Sequence, residues 1–203
     1  MPGIAGIVLA AGEGRRAGGV KALLTLGART FLERVVTAVR AAGCEPVIVV
    51  GGAEGPRVEA EARRLGAGFV LNEHWREGQF SSLRAGTAGA HPAGTAALVA
   101  LVDHPAVKPE TYRTLLDAFR GSAGSIVIPV CEDRQTRRLA RGHPVVLPAG
   151  VLAQVSAAPD GTTLRDLIHK NADLVLEVRV EDTGVLKDVD TVADLKNVGG
   201  PEV

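Results

Sequence analysis

Only two cysteines occur in 203 residues, Cys44 and Cys131, too few and too far apart for a disulfide framework or a zinc cluster. Both are read as small buried or half-buried hydrophobes. Aromatic residues are scarce too, one Trp, one Tyr and four Phe, so the core must be built from Ala, Val and Leu. Such a core favours a buried parallel sheet, whose strands read as aliphatic runs. Neither sign of charge is in excess, with 23 Lys and Arg against 23 Asp and Glu. That removes the electrostatic case for wholesale binding to nucleic acid or a membrane, and any basic site must be local. No signal-like segment and no apolar run of about 18 residues is present, so the expected compartment is the cytoplasm.

Glycine, by contrast, is plentiful where it matters. In "VLAAGEGRRAGGVKALL", residues 8–24, a hydrophobic run gives way to Gly12, Gly14, Gly18 and Gly19, with Arg15, Arg16 and Lys21 in the same stretch. Glycines allow positive φ and close backbone approach, and the cations add charge, so the loop suits an anion; a basic surface turn is the plainer alternative. Two familiar phosphate loops fail by countable residues. The dinucleotide fingerprint needs G-x-G-x-x-G, but Gly12, Gly14 and Gly18 are one residue too widely spaced, and no acidic residue ends the second strand. The P-loop needs a Ser or Thr directly after its Lys, and Ala22 stands there.

Strand-like runs fall at 4–10, 46–51, 68–72, 96–102, 125–130 and 173–180, and helical patterns at 31–43, 54–66, 78–90, 108–121 and 162–171. Thr30 and Glu33 form a capping-box start, and Pro109 suits a first turn. The alternation predicts an α/β fold: three layers, doubly wound on a mainly parallel sheet, as one domain over residues 1–203. The polar, arginine-rich stretch at about 131–143 is expected to be a loop or flap. Its Arg134, Arg137, Arg138 and Arg141 either meet an anion or are simply solvated.

Ligands of such sheets bind at the carboxyl ends of the strands, so the glycine loop and the "DHP" turn after 96–102 should meet in one crevice. Asp103 would stand there as a ligand for a divalent cation, or else cap the helix beginning near Lys108. Asp188 and Asp190 alternate around Val189, so an extended backbone turns both to one face; with Asp103 they would make a three-carboxylate nest for magnesium. A solvated cap is the alternative for that pair, with Thr191 and Asp194 starting a final helix. Ser81 and Ser82 either cap a helix or bind a ligand, and Trp75 is read as packing. His74, His91, His104 and His169 lack metal-ligand spacing.

Taken in order, "LAAGEGRRAGGVKALL", "NEHWREGQFSSLRAG", "VDHPAV", "RGHPVVL" and "LKDVDTVADL" resemble the motifs of the MobA-like NTP transferases, closest to the molybdenum cofactor cytidylyltransferase branch. Gly14 stands where the family has serine and Ala17 where it has methionine, and "PDGTTLRDLIHK" keeps Asp160, Gly161 and Arg165 of a further motif without its spacing. The resemblance implies a Rossmann-like nucleotidyltransferase fold and transfer of NMP from an NTP, CTP favoured and GTP possible, to a phosphorylated acceptor such as molybdopterin. It implies nucleotide binding by Leu9, Ala10, Ala11, Gly12, Glu13, Gly14, Arg16, Lys21, Gly51, Ser82 and Asp103. Lys21, Arg16 and Asp103 would be catalytic, Asp103, Asp188 and Asp190 would hold Mg2+, and Ser81, His143 and Arg165 would meet the acceptor. The alternatives are a guanylyl- or sugar-1-phosphate nucleotidyltransferase, or a non-catalytic nucleotide-sensing module for molybdoenzyme maturation, with a molybdoenzyme or maturation factor as partner.

Overall fold

The computed structural model describes residues 3–90, 96–191 and 193–194. The first strand, β1 (Ile4–Ala10), is followed by a short hairpin of β2 (Thr25–Leu26) and β3 (Arg29–Thr30), then α1 (Phe31–Ala41). Next come β4 (Val47–Gly51), α2 (Gly55–Arg64), β5 (Gly68–Leu71), α3 (Gln79–Ala90), β6 (Ala96–Leu101) and α4 (Pro109–Gly121). The C-terminal part adds β7 (Ile126–Glu132), β8 (Leu139–Arg141), β9 (Val145–Leu147), α5 (Ala149–Ala157), α6 (Leu164–Lys170) and β10 (Val175–Arg179). No helix among the described residues is long and apolar enough to cross a membrane.

The main sheet runs β10-β7-β9-β6-β1-β4-β5, with β8 paired to the outer part of β7. β1 is parallel to both β4 and β6, β4 to β5, and β7 to β10, whereas β9 is antiparallel to its neighbours. The sheet is therefore mainly parallel, and its order reverses between β1 and β6.

Because side chains alternate across a strand, β1 feeds two cores. Ile4, Val8 and Ala10 enter the core under α1, α2 and α4, while Ala5, Ile7 and Leu9 enter the one under α3, α5 and α6. On that second face, α3 lies close to the sheet because Gly86 and Gly89 leave room: a Cβ on Gly86 would stand 2.7 Å from Ile7 Cγ2, and one on Gly89 2.4 Å from Val70 Cγ2.

Three local expectations change. Thr30 accepts from the Glu33 amide at 3.0 Å, but its hydroxyl donates to Glu61 and Glu33 pairs with Arg64, so the capping box is only half made. The stretch 131–143 is largely a hairpin of β7 and β8 rather than a loop. Asp133 closes its turn by accepting from the amides of Gln135 and Thr136, and Arg137 takes a φ of 57°. Thr191 and Asp194 exchange capping bonds, whereas the helix expected beyond them, like His91, lies outside the described residues.

The N-terminus of α4 is served by Asp182, a residue 74 positions downstream of Lys108. Its buried carboxylate accepts from the Lys108 amide at 2.8 Å, the Thr111 hydroxyl at 2.7 Å and the Gly184 amide at 3.0 Å. Charge-assisted bonds to a helix N-terminus are among the stronger polar contacts. Asp182→Ala is expected to lower unfolding free energy by about 2–3 kcal/mol, since it strands those donors. Urea unfolding measures the loss, and Asp182→Asn, which keeps the acceptor oxygen, should recover part of it.

Candidate active site

The loop after β1 folds back on itself because of Gly14. Its φ is 63°, its carbonyl accepts from the amides of Ala17 and Gly19, and a Cβ there would lie 2.0 Å from the Gly19 oxygen. Glycine is the residue this reversal admits, which accounts for the departure from the family's serine. The reversal carries Lys21, at the start of a short 3-10 turn, to the carboxyl end of the sheet.

There Lys21 Nζ donates to Asp103 Oδ2 at 3.2 Å and to Asp190 Oδ1, and Arg16 donates to the other Asp190 oxygen at 2.8 Å. Lys21 is only 15% exposed. Burial alone would pull its pKa down; the bonds to Asp190 and Asp103 outweigh that and raise it, so the ammonium stays charged. The Lys21 hydrogen bond conversely holds the Asp190 carboxyl below the usual carboxylate range. Asp190 arrives because the backbone after Asp182 is laid against the crevice. His143 N donates to Val185 O at 2.9 Å, Val189 N donates to Asp103 O at 2.8 Å, and the Val189 side chain is fully buried.

A cavity of about 190 Å3 opens beside this cluster, at the point where the sheet order reverses. Leu9, Ala11, Gly12, Lys21, Ser82 and Asp103 of the expected nucleotide set line it, together with Trp75, Gly78, Gln79, Leu101 and Val102. A Cβ on Gly12 would meet only open space, so this glycine leaves the cavity wider. Ser82 accepts from the buried Asn72 amide at 3.0 Å; the same amide reaches Ser81, and the Asn72 carbonyl takes the His74 amide. Asn72 thereby shapes the turn that brings Trp75 to the cavity wall, over a Gly52 whose Cβ would stand 2.6 Å from the indole.

Several expected residues do other work. Ala10 is buried in the core, and Gly51 lies beneath Phe69, where a Cβ would stand 2.5 Å from the ring. Glu13 lies 3.9 Å from Arg76 outside the cavity wall, and Gly14 acts through the turn. Ser81 is bonded to its own turn, with His74 O at 3.0 Å and Gly78 O at 2.8 Å, and lines neither this cavity nor the neighbouring one. Asp103 does not cap α4, since Asp182 holds that position. Asp188 is exposed to solvent, next to the buried Val189. Among the described residues no three His, Cys, Asp or Glu side chains gather as a metal site. The carboxylates that converge are Asp103 and Asp190. Both are hard oxygen donors, and Asp103 Oδ1 is buried without a hydrogen-bond partner. The pair therefore fits a cation that completes its shell with phosphate oxygens and water.

A second cavity, of about 710 Å3, adjoins the first at Gln79. His143 and Arg165 line it, and Arg141, Thr163 and His169 add further donors. Burial, reinforced by His104 whose ring centroid lies 5.6 Å away, lowers the His143 pKa to about 4, so the ring is neutral near pH 7. Its Nδ1 is buried and has no hydrogen-bond partner. Arg141 is the one arginine of the 134–141 run on this wall, whereas Trp75 and Gln79, read as packing and as part of a motif, are singled out as candidate ligand groups only by their place on the cavity walls.

A family model described as the MobA-like NTP transferase domain matches residues 6–175. Nicotine blue oxidoreductase of Paenarthrobacter nicotinovorans is 35% identical, the alignment covering 96% of each chain. A probable molybdenum cofactor guanylyltransferase of Mycobacterium avium is 31% identical over 95% of this chain and 93% of its own. Among solved structures, Rv0371c from Mycobacterium tuberculosis H37Rv superposes with a TM-score of 0.80 at 28% identity, covering 98% of this chain and 99% of that one. A further structure of that protein is a complex with manganese, at a TM-score of 0.70 and 27% identity over 97% of each chain. With its glycine loop, its ionic cluster and a matched span covering most of its length, the chain belongs to the MobA-like NTP transferase family.

Proposed function

We propose that the chain, as one domain, transfers a nucleotidyl group from a nucleoside triphosphate to a phosphorylated acceptor, with CTP and molybdopterin as the favoured pair. The observation that supports this best is the ionic cluster: two cations, Arg16 and Lys21, and two carboxylates, Asp103 and Asp190, at the mouth of a cavity walled by Ala11 and Gly12. An oxygen of the acceptor phosphate attacks the α-phosphorus, the bond to the bridging oxygen toward the β-phosphate breaks, and pyrophosphate departs with that electron pair. No protein nucleophile is required, because placement and charge neutralisation carry most of phosphoryl-transfer catalysis.

Lys21 holds positive charge beside the α-phosphate, Arg16 reaches the outer phosphates, and the amides of residues 12–14 face the triphosphate. Asp103 and Asp190 would hold Mg2+, which supplies further neutralisation of the phosphate oxygens. In the larger cavity Arg165 and Arg141 attract the anionic acceptor, and the neutral ring of His143 offers it a hydrogen bond. Relatives named guanylyltransferases keep GTP as the alternative donor.

A redox reading has one observation in its favour, the 35% identity to a relative named an oxidoreductase. The glycine spacing of this chain departs from the dinucleotide fingerprint, and an ionic cluster of this kind serves phosphate chemistry better than hydride transfer. Pyrophosphate release from NTPs with molybdopterin, run beside oxidation of NADH and NADPH, separates the two; nicotinamide oxidation without pyrophosphate release would reverse the assignment.

Lys21→Ala is expected to cut turnover at least about 100-fold, because it removes a preorganised cation from developing charge. Circular dichroism should stay native, and full activity in a folded variant would sink the proposed role.

Base choice turns on Ala11, whose methyl group narrows the cavity wall where the guanylyl branch has glycine. One methyl group discriminates by roughly 1–3 kcal/mol, or about 10- to 200-fold. Titration with Mg2+ and each nucleotide should show CTP binding tighter than GTP, with Ala11→Gly closing the gap. Tighter GTP binding by the wild type would make this a guanylyl enzyme.

A further inference from the structure

Arg84 stands on α3 and takes no part in the cluster or in either cavity wall. Its Nη2 donates to the carbonyls of Ala158 at 2.8 Å and Pro159 at 3.4 Å, and its Nη1 reaches Asp160 Oδ1 at 3.1 Å. The guanidinium carbon sits 5.7 Å from the Phe80 ring centroid, and Nε is buried without a partner. All three acceptors lie in the link between α5 and α6. That link ends in the Thr163–Asp166 capping box that opens α6.

The link matters because it leads directly into a cavity wall. Thr163, Leu164, Arg165, Ile168 and His169 form one side of the larger cavity, and all belong to α6 or its cap. A helix of seven residues has little stability of its own and depends on tertiary ties. Leu164, Leu167 and Ile168 supply apolar ties to the core, Asn171 at the far end of the helix exchanges two hydrogen bonds with Gln154 of α5 at 3.0 and 3.1 Å, and Arg84 supplies the polar tie on the side where the helix begins. Five and two residues before Arg84, Gln79 and Ser82 of the same helix line the nucleotide cavity.

We infer that Arg84 is a positioning residue for the acceptor cavity: by clasping the 158–160 link to α3, it sets where Arg165 and His169 stand relative to the nucleotide side. The carbonyl bonds carry the clasp. Asp160 is 92% exposed, and an ion pair to so solvated a carboxylate adds little. The two contacts therefore predict different phenotypes for Arg84 and Asp160, although they are partners.

Two measurements on the full chain test this. Hydrogen–deuterium exchange needs no ligand: Arg84→Ala should speed exchange of the amides in 164–170 at least tenfold, while those of β1 and α1 stay at wild-type rates. Steady-state kinetics with CTP and molybdopterin rest on the proposed nucleotidyl transfer. There Arg84→Ala should raise the molybdopterin KM at least tenfold, with kcat and the CTP KM within threefold, Arg84→Lys should fall between, and Asp160→Ala should stay within twofold of wild type. Unchanged exchange in α6, or acceleration spread evenly over the chain, would overturn the inference, as would equal rises in both KM values. Should Arg84→Ala not fold, Arg84→Lys and Arg84→Gln carry the same comparison. Absence of turnover in the wild type would refute the reaction and leave the exchange result to decide the clasp.

Discussion

The site rests on one half-buried ammonium ion, Lys21 Nζ, held between the carboxylates of Asp103 and Asp190. Taking a cation out of water is costly unless its partners are close and well placed, and here two anions from distant parts of the chain meet that requirement. Each partner needs its own support. Gly14 reverses the loop that delivers Lys21, a fully buried strand ends just before Asp103, and the backbone pairing of Val189 with Asp103 sets Asp190 across from both. A nucleoside triphosphate entering this crevice would compete with the carboxylates for Lys21 and Arg16, while its metal would satisfy the carboxylates released. The same four charges can thus serve the empty and the loaded site without leaving any one buried alone.

The segment after β10 is consequently part of the architecture of the candidate site. Asp182 caps α4, Gly184 packs against the Ala106 carbonyl, and Val185 accepts from His143, so this one stretch, a 3-10 turn and the residues after it, ties the helix, both cavities and the ionic cluster together. The family match covers residues 6–175 and stops short of this stretch. Within one scaffold the relatives bear names of different chemistries, as expected where function resides in the side chains grafted onto a shared fold.

Much of the frame was legible in the chain. Six aliphatic runs marked the strands β1, β4, β5, β6, β7 and β10; β1, β4, β6 and β7 are almost wholly buried and leave a nearly unbroken apolar signature, whereas the edge strands β5 and β10 are only partly buried. The short elements were not: β8 and β9 are three residues each, and α5, "AGVLAQVSA", has no polar face to give it a period. Motif resemblance singled out Lys21, Arg16 and Asp103. It also assigned Ala10, Gly51 and Ser81 to ligands, whereas packing and a local turn claim all three.

By itself the sequence determined an α/β chain with a glycine-rich, basic loop at the end of its first strand, because periodicity and glycine content are local properties. The tertiary structure alone decided which of the acidic residues matter. Asp188 and Asp190 are indistinguishable by spacing. Burial of Val189 and its bond to Asp103 turn one carboxylate to Lys21 and the other to water, and only the packed sheet brings residues 21, 103 and 190 within hydrogen-bonding distance.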